Sequence, residues 1–285
     1  MKWCLSAAVV VGLLAIAPQA DAQTQVEIGG EDPIQETLED GNIRVEVNYE
    51  PGEDGSWFGE VNYEIFYDGA SWAEGSREFG IVGAIALQDL DSDGNAEVIV
   101  ETFSGGAHCC TTHEIYSWVG DGFAVAETGM RDGSGGVFED LNGDGAAEFI
   151  GYDNRFLYTF SSYAGSFPPS QIYTFQNGDL VETTRQFPEH LRSQAWDMYQ
   201  AIQRIEGGDY EINGVLAGYV AQKILLGEYE EGWDLMLARY DRNSDWGLNI
   251  YNDEGEVAGS HSDFPNALRA FLIDNGYLSS NGDPL

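Results

Sequence analysis

The chain has 285 residues, with 12 Lys+Arg against 49 Asp+Glu for a formal net charge of -37, and 43% of its residues are hydrophobic. That field repels polyanions, which excludes nucleic acid and anionic membrane surfaces as partners, and the apolar content is that of a globular chain, not a disordered one. So large a charge also repels itself in any compact state, which favours bound cations or a saline environment.

Residues 1–22 carry one basic residue, Lys2, then an apolar run, then Ala20-Asp21-Ala22 in the small-x-small pattern of a cleavage site. The pattern predicts a secretory signal peptide and a periplasmic or extracellular location. The run is too short to span a bilayer, and no later segment is apolar enough to do so. Beyond this leader Lys223 is the only lysine, and Cys109 and Cys110 are the only two of the chain's three cysteines.

Residues 23–186 read as a β region. Ile43, Val45, Val47 and Tyr49, then Val61, Tyr63, Ile65 and Tyr67, alternate on either side of a Pro-Gly turn, which predicts a hairpin or meander. The run through Ile85 and Leu87 leads into residues 89–97, DLDSDGNAE, and Val98-Ile99-Val100 follows as a buried strand. Strands are expected around Ile115-Tyr116 and Val125. A second loop at residues 140–148, DLNGDGAAE, is followed by strands at Phe149-Ile150, Phe156-Leu157-Tyr158 and Ile172-Tyr173. The two units lie roughly 50 residues apart, a spacing of blade-like antiparallel repeats. With two or three such units, the expected architecture is an incomplete or open propeller-like one.

Residues 187–285 switch to helical period. Leu191, Ala195, Met198, Ile202 and Ile205 share one face, a second helix carries Leu216, Val220 and Ile224, and a third carries Trp233 and Leu237. A short hairpin through Ile250 and Val257 precedes a last helix capped at Asp263, with Pro265 in its first turn and Gly276 beyond its end. The fold class is therefore mainly β with a helical C-terminal region.

The two acidic loops carry the clearest chemistry. Positions 1, 3 and 5 are Asp89, Asp91, Asp93 and Asp140, Asn142, Asp144. Asn95 and Ala146 offer position-7 carbonyls, and Glu97 and Glu148 stand at position 9. Alternating oxygens on a tight loop suit calcium, a hard cation with six to eight ligands. Position 12 is Val100 or Gly151, not the glutamate an EF-hand needs, so these are strand-to-strand calcium loops. Three carboxylates a few ångströms apart repel by about 1 kcal/mol per pair even in water, a cost a cation removes.

FGIVGA followed by DLDSDGNAE resembles the FG-GAP or VCBS-type repeat of integrin alpha-subunit propellers and secreted bacterial proteins. The resemblance implies calcium ligands at Asp89, Asp91, Asp93 and Glu97, and at Asp140, Asn142, Asp144 and Glu148. SGGAHCC also resembles a stretch of secreted bacterial proteins that carry such repeats.

His108-Cys109-Cys110-Thr111-Thr112-His113 is the other candidate site, with His108 and Cys110 on one face of an extended segment and Cys109 and His113 on the other. An oxidising compartment permits a vicinal disulfide; two separate thiols on opposite strand faces is the alternative. The expected function is a calcium-binding β-repeat protein acting as a binding or structural module for an unidentified protein or glycan partner. The alternative is a secreted hydrolase or redox enzyme using His108, Cys109 and Cys110. No GxSxG elbow or complete HExxH motif is present.

Overall fold

The computed structural model describes residues 24–52, 59–77, 81–133, 135–205 and 211–285. The expected signal peptide lies outside the described residues, as does the Phe79-Gly80 lead-in to the first loop.

Three antiparallel sheets stack in succession. The first is a meander of β2 (Ile34–Asp40), β3 (Ile43–Glu50), β4 (Glu60–Tyr67) and β5 (Ala70–Arg77). The second has the order β1 (Thr24–Glu27), β6 (Ile81–Gln88), β7 (Glu97–Phe103), β8 (Cys109–Trp118). The far edge of β8 pairs with β9 (Phe123–Glu127) at one end and β10 (Arg131–Asp132) at the other. The third comprises β11 (Val137–Glu139), β12 (Glu148–Tyr152), β13 (Ser170–Gln176) and β14 (Asp179–Glu182).

The middle sheet is buried on both faces. Ile85, Leu87, Val98 and Val100 pack with Val45, Val47, Tyr63 and Ile65 of the first sheet. Ala86, Ile99 and Ile115 face the other way, toward Ala147 and Phe175 of the third. Because successive strand residues point to opposite faces, a strand covered on both sides must be apolar at every position, which is why β6 and β7 read as continuous runs. The propeller-like arrangement expected from the repeat is not formed: among the described residues no sheet closes into a barrel or ring. Three stacked sheets are fewer than the four or more blades that ring closure requires.

The helical region is built around α2 (Ile212–Leu225), which is buried along almost its whole length and surrounded by α1 (Pro188–Arg204), α3 (Tyr229–Arg239) and α4 (Phe264–Asp274). A helix apolar on all sides belongs inside a core, whereas α1 shows a single stripe of Leu191, Ala195, Met198 and Ile202. The cap of α4 is as the sequence predicts, with the Asp263 carboxylate accepting from the Asn266 N–H. A hairpin of β15 (Asn249–Tyr251) and β16 (Val257–Ser260) precedes it. No helix among the described residues is long and apolar enough to cross a membrane.

The segment Phe156-Leu157-Tyr158, expected as a strand, instead begins in a 3-10 turn at Asn154–Phe156 and places Phe156 and Phe160 in the helical core. Phe156 meets Phe271 and Tyr277 edge-on, and Phe160 meets Phe264 and Phe271. These rings have more apolar surface to bury between helices than a strand edge would offer. The same region ties the β and helical parts together: buried Asp153 pairs with Arg155 and accepts the Tyr277 hydroxyl at 2.8 Å. Buried Gln222 accepts the Ser170 N–H at 2.9 Å and donates to the Leu191 carbonyl at 3.1 Å.

Helix α2 lies so close to residue 167 that a Cβ added at Gly218 would stand 1.6 Å from the Phe167 carbonyl oxygen. Alanine would gain about 1 kcal/mol of helix propensity there, but a backbone clash of this depth outweighs it. Gly218→Ala is expected to lose about 2 kcal/mol or more of folding stability in urea unfolding, and a neutral or stabilising result would refute this close packing.

Candidate functional site

Both acidic loops close a hairpin. Residues 89–96 join β6 to β7, and residues 140–147 join β11 to β12, with Gln88 opposite Glu97 in one and Glu139 opposite Glu148 in the other. The backbone is left-handed at the same positions in each: Ser92 and Gly94 at φ 58 and 90, Gly143 and Gly145 at φ 80 and 95. Glycine is the residue that adopts this region without a Cβ penalty, so the DG step is what allows the tight turn.

The hydrogen bonds repeat as well. Gly94 N–H donates to Asp89 Oδ2 at 3.0 Å and Gly145 N–H to Asp140 Oδ2 at 2.9 Å. Asn95 N–H donates to Asp93 at 2.7 Å and Ala146 N–H to Asp144 at 2.9 Å. Leu90 N–H donates to Glu97 Oε2 at 2.7 Å and Leu141 N–H to Glu148 Oε2 at 3.0 Å. Both glutamates are only 1% exposed. The loops also touch each other, since Ala147 N–H donates to the Leu90 carbonyl at 2.9 Å.

They differ in acid convergence. Asp89, Asp91 and Glu97 bring carboxylate oxygens within 4.8 Å of one another, the only such group of three acidic, His or Cys side chains among the described residues. Asp93 stays outside that group, its carboxylate accepting from Asn95. In the second loop Asn142 replaces the middle acid, and its amide donates to Asp144 at 2.9 Å.

Burial pushes the Glu97 carboxyl up to about 8; the Leu90 N–H and the Ser117 hydroxyl counter it, while Asp91 and Asp89 add to the rise. Burial, followed by the Asp93 charge, raises Asp91. Burial raises Glu148 too. Asp140 goes the other way: slight burial pulls upward, but the N–H groups of Gly145, Gly143, Asn142 and Asp144 hold it below the usual carboxylate range. Burial thus opposes ionisation most strongly at Glu97, whereas backbone donors outweigh it at Asp140.

At the second candidate site the Cys109 and Cys110 sulfurs are adjacent, the vicinal pairing. Cys110 N–H donates to Ser104 Oγ at 2.6 Å, and its carbonyl accepts the Ser104 N–H. Gly106 permits this fold-back, because a Cβ there would lie 2.2 Å from the Cys109 carbonyl oxygen. His108 turns away to stack on Tyr163 with ring centres 4.1 Å apart. His113 is buried, with Nε2 3.2 Å from Glu101 Oε2 and Nδ1 3.5 Å from Thr128 Oγ1. His108, the cysteines and His113 therefore do not form a common ligand cluster. Sequence reasoning missed Ser117, Tyr163 and the Glu101–His113 pair, each of which comes from a different strand or turn and leaves no local signal.

Comparison with known proteins corrects the expected family. A family model described as the sll0997 C-terminal domain matches residues 191–276, and no FG-GAP or VCBS-type repeat is found. The nine-residue acidic pattern is local turn chemistry, in which Asp side chains accept from N–H groups two or more residues on, and so short a stretch does not specify a family. The chain is 40% identical over 217 residues to a probable thylakoid lumen protein, sll0997, of Synechocystis sp., covering 73% of this chain and 64% of that protein. It is 34% identical over 218 residues to the uncharacterized protein y4bJ of Sinorhizobium fredii, covering 72% of this chain and 34% of that one. The chain thus spans less than two thirds of either relative. No solved structure matches.

In calcium-free buffer, Glu97→Ala leaves the Leu90 N–H without its acceptor and is expected to cost about 1–3 kcal/mol. Glu97→Gln, which keeps an oxygen there, should cost less. Urea unfolding with chelator present measures both, and an alanine variant as stable as the parent would show that this carboxylate does not close the loop.

Proposed function

We propose that the protein is a calcium-stabilised binding or structural module of a periplasmic or lumen-type compartment. The observation that carries this reading is the convergence of Asp89, Asp91 and Glu97 within 4.8 Å at the mouth of a rigid hairpin. Two side chains from the turn and one from the outgoing strand supply hard oxygens, and the net charge of -37 raises the local concentration of any divalent cation. The second loop, with one amide in place of a carboxylate, is the weaker site. Asp93, Asn95, Asp140, Asn142, Asp144, Ala146 and Glu148 complete the two ligand sets in this reading.

The role of the cation is structural. The loops abut through Leu90 and Ala147, so an ion that fixes the first loop also fixes the junction between the second and third sheets. The compartment is supported by the printed name of the Synechocystis relative, a probable thylakoid lumen protein.

Calcium at a hundred times its dissociation constant stabilises by about 2.7 kcal/mol, which for a chain of this size is on the order of 5–10 °C in Tm. Adding a chelator is therefore expected to lower Tm by that amount and millimolar calcium to restore it, with Asp89→Asn/Asp91→Asn losing the response. A midpoint that does not move between chelator and millimolar calcium would overturn the proposal.

A further inference from the structure

An aromatic-lined concavity lies away from the acidic loops, in the helical region. A cleft of about 690 Å³ is bordered by Tyr158, by residues 245–247 with β15, and by α4. Three of its aromatic side chains are held out to solvent, with Tyr158 52%, Trp246 39% and Tyr251 60% exposed. Three exposed rings around one cleft offer separate apolar faces to a ligand.

The platform is fixed by the backbone. Gly247 has φ 72 and sits so tightly that a Cβ would be 2.5 Å from the buried Phe160 ring and 2.6 Å from the Thr159 carbonyl oxygen, which holds the backbone next to Trp246 against residues 159–160. Tyr158 is left-handed at φ 60, with its N–H donated to Ser166 Oγ at 3.1 Å. A bulky residue in that region is uncommon and persists only where its surroundings hold it. Around the rings stand Asp245, Asn249 and Asp274, which supply carboxylate and amide groups.

We propose that this cleft binds a neutral oligosaccharide. Pyranose rings present C–H faces that lie on aromatic rings and hydroxyls that donate to carboxylates and amides, and the cleft offers both kinds of partner. Acidic glycans are disfavoured by Asp245, Asp274 and the charge of the whole chain. Aromatic cages that capture a small organic cation set several rings around it. Tyr158, Trp246 and Tyr251 make no ring contact with one another among the described residues, and Tyr158 packs instead against Tyr163. Separated platforms along a cleft suit an extended chain of sugars. The proposal is independent of the cation reading of the acidic loops.

Calorimetric titration of the full chain with glucan and chitin-derived neutral hexasaccharides, with a galacturonate hexamer and with tetramethylammonium tests it. At least one neutral hexasaccharide is expected to bind at submillimolar concentration, weakened tenfold or more by Trp246→Ala and by Tyr251→Ala. Trp72→Ala, at an exposed tryptophan on β5, should leave binding unchanged. Asp274→Asn, at an exposed position of α4, provides a further reduction if either aromatic variant fails to fold. The proposal is overturned by no neutral binding at millimolar ligand, by tighter binding of galacturonate or tetramethylammonium, or by affinity that survives the cleft variants.

Discussion

Two glutamate carboxylates, Glu97 and Glu148, are buried at the first residue of an outgoing strand, and the middle of the β region is arranged around satisfying them. Each accepts the backbone N–H of the leucine that follows the loop's first aspartate, so the side chain closes its own turn. A buried carboxyl without a partner would cost more than most single contacts return. Glu97 has a second donor in Ser117, which reaches it from β8 and so ties the loop to the neighbouring strand.

That closure positions the leucines. Leu90 is fully buried and its carbonyl receives Ala147 from the second loop, so two turns that are separate in the chain form one seam between the second and third sheets. The seam has unequal charge. Three acids converge on the first loop, whereas Asn142 interrupts the second; N–H groups of the turn serve carboxylates in both. Carboxylate oxygens are therefore packed most closely at Asp89, Asp91 and Glu97.

Much of the local structure was legible in the chain. Alternation at Ile43, Val45 and Val47 marked β3, the stripe from Leu191 to Ile202 marked α1, and Asp263 with Pro265 marked the start of α4. The DG steps marked both acidic turns. Less visible were β1, β2 and β5, whose alternation is weakened by exposed polar residues. Phe156-Leu157-Tyr158 misled because a short aromatic run has the same composition in a strand as in a turn that plugs a helical core. The family resemblance failed for a related reason: the quoted residues describe a turn, and a turn is shared across unrelated folds.

By itself the sequence determined what depends on near neighbours: the turns, the caps, the helix faces and the set of oxygens within each acidic loop. These follow from backbone dihedral preferences and from side chains that reach only a few residues along the chain. Tertiary structure alone decided which oxygens converge, that Ser117 completes the Glu97 site, that the two loops meet at Leu90 and Ala147, and that Tyr158, Trp246 and Tyr251 border one cleft. Those facts depend on packing between segments far apart in the chain, where burial of apolar surface sets the arrangement and no local pattern records it.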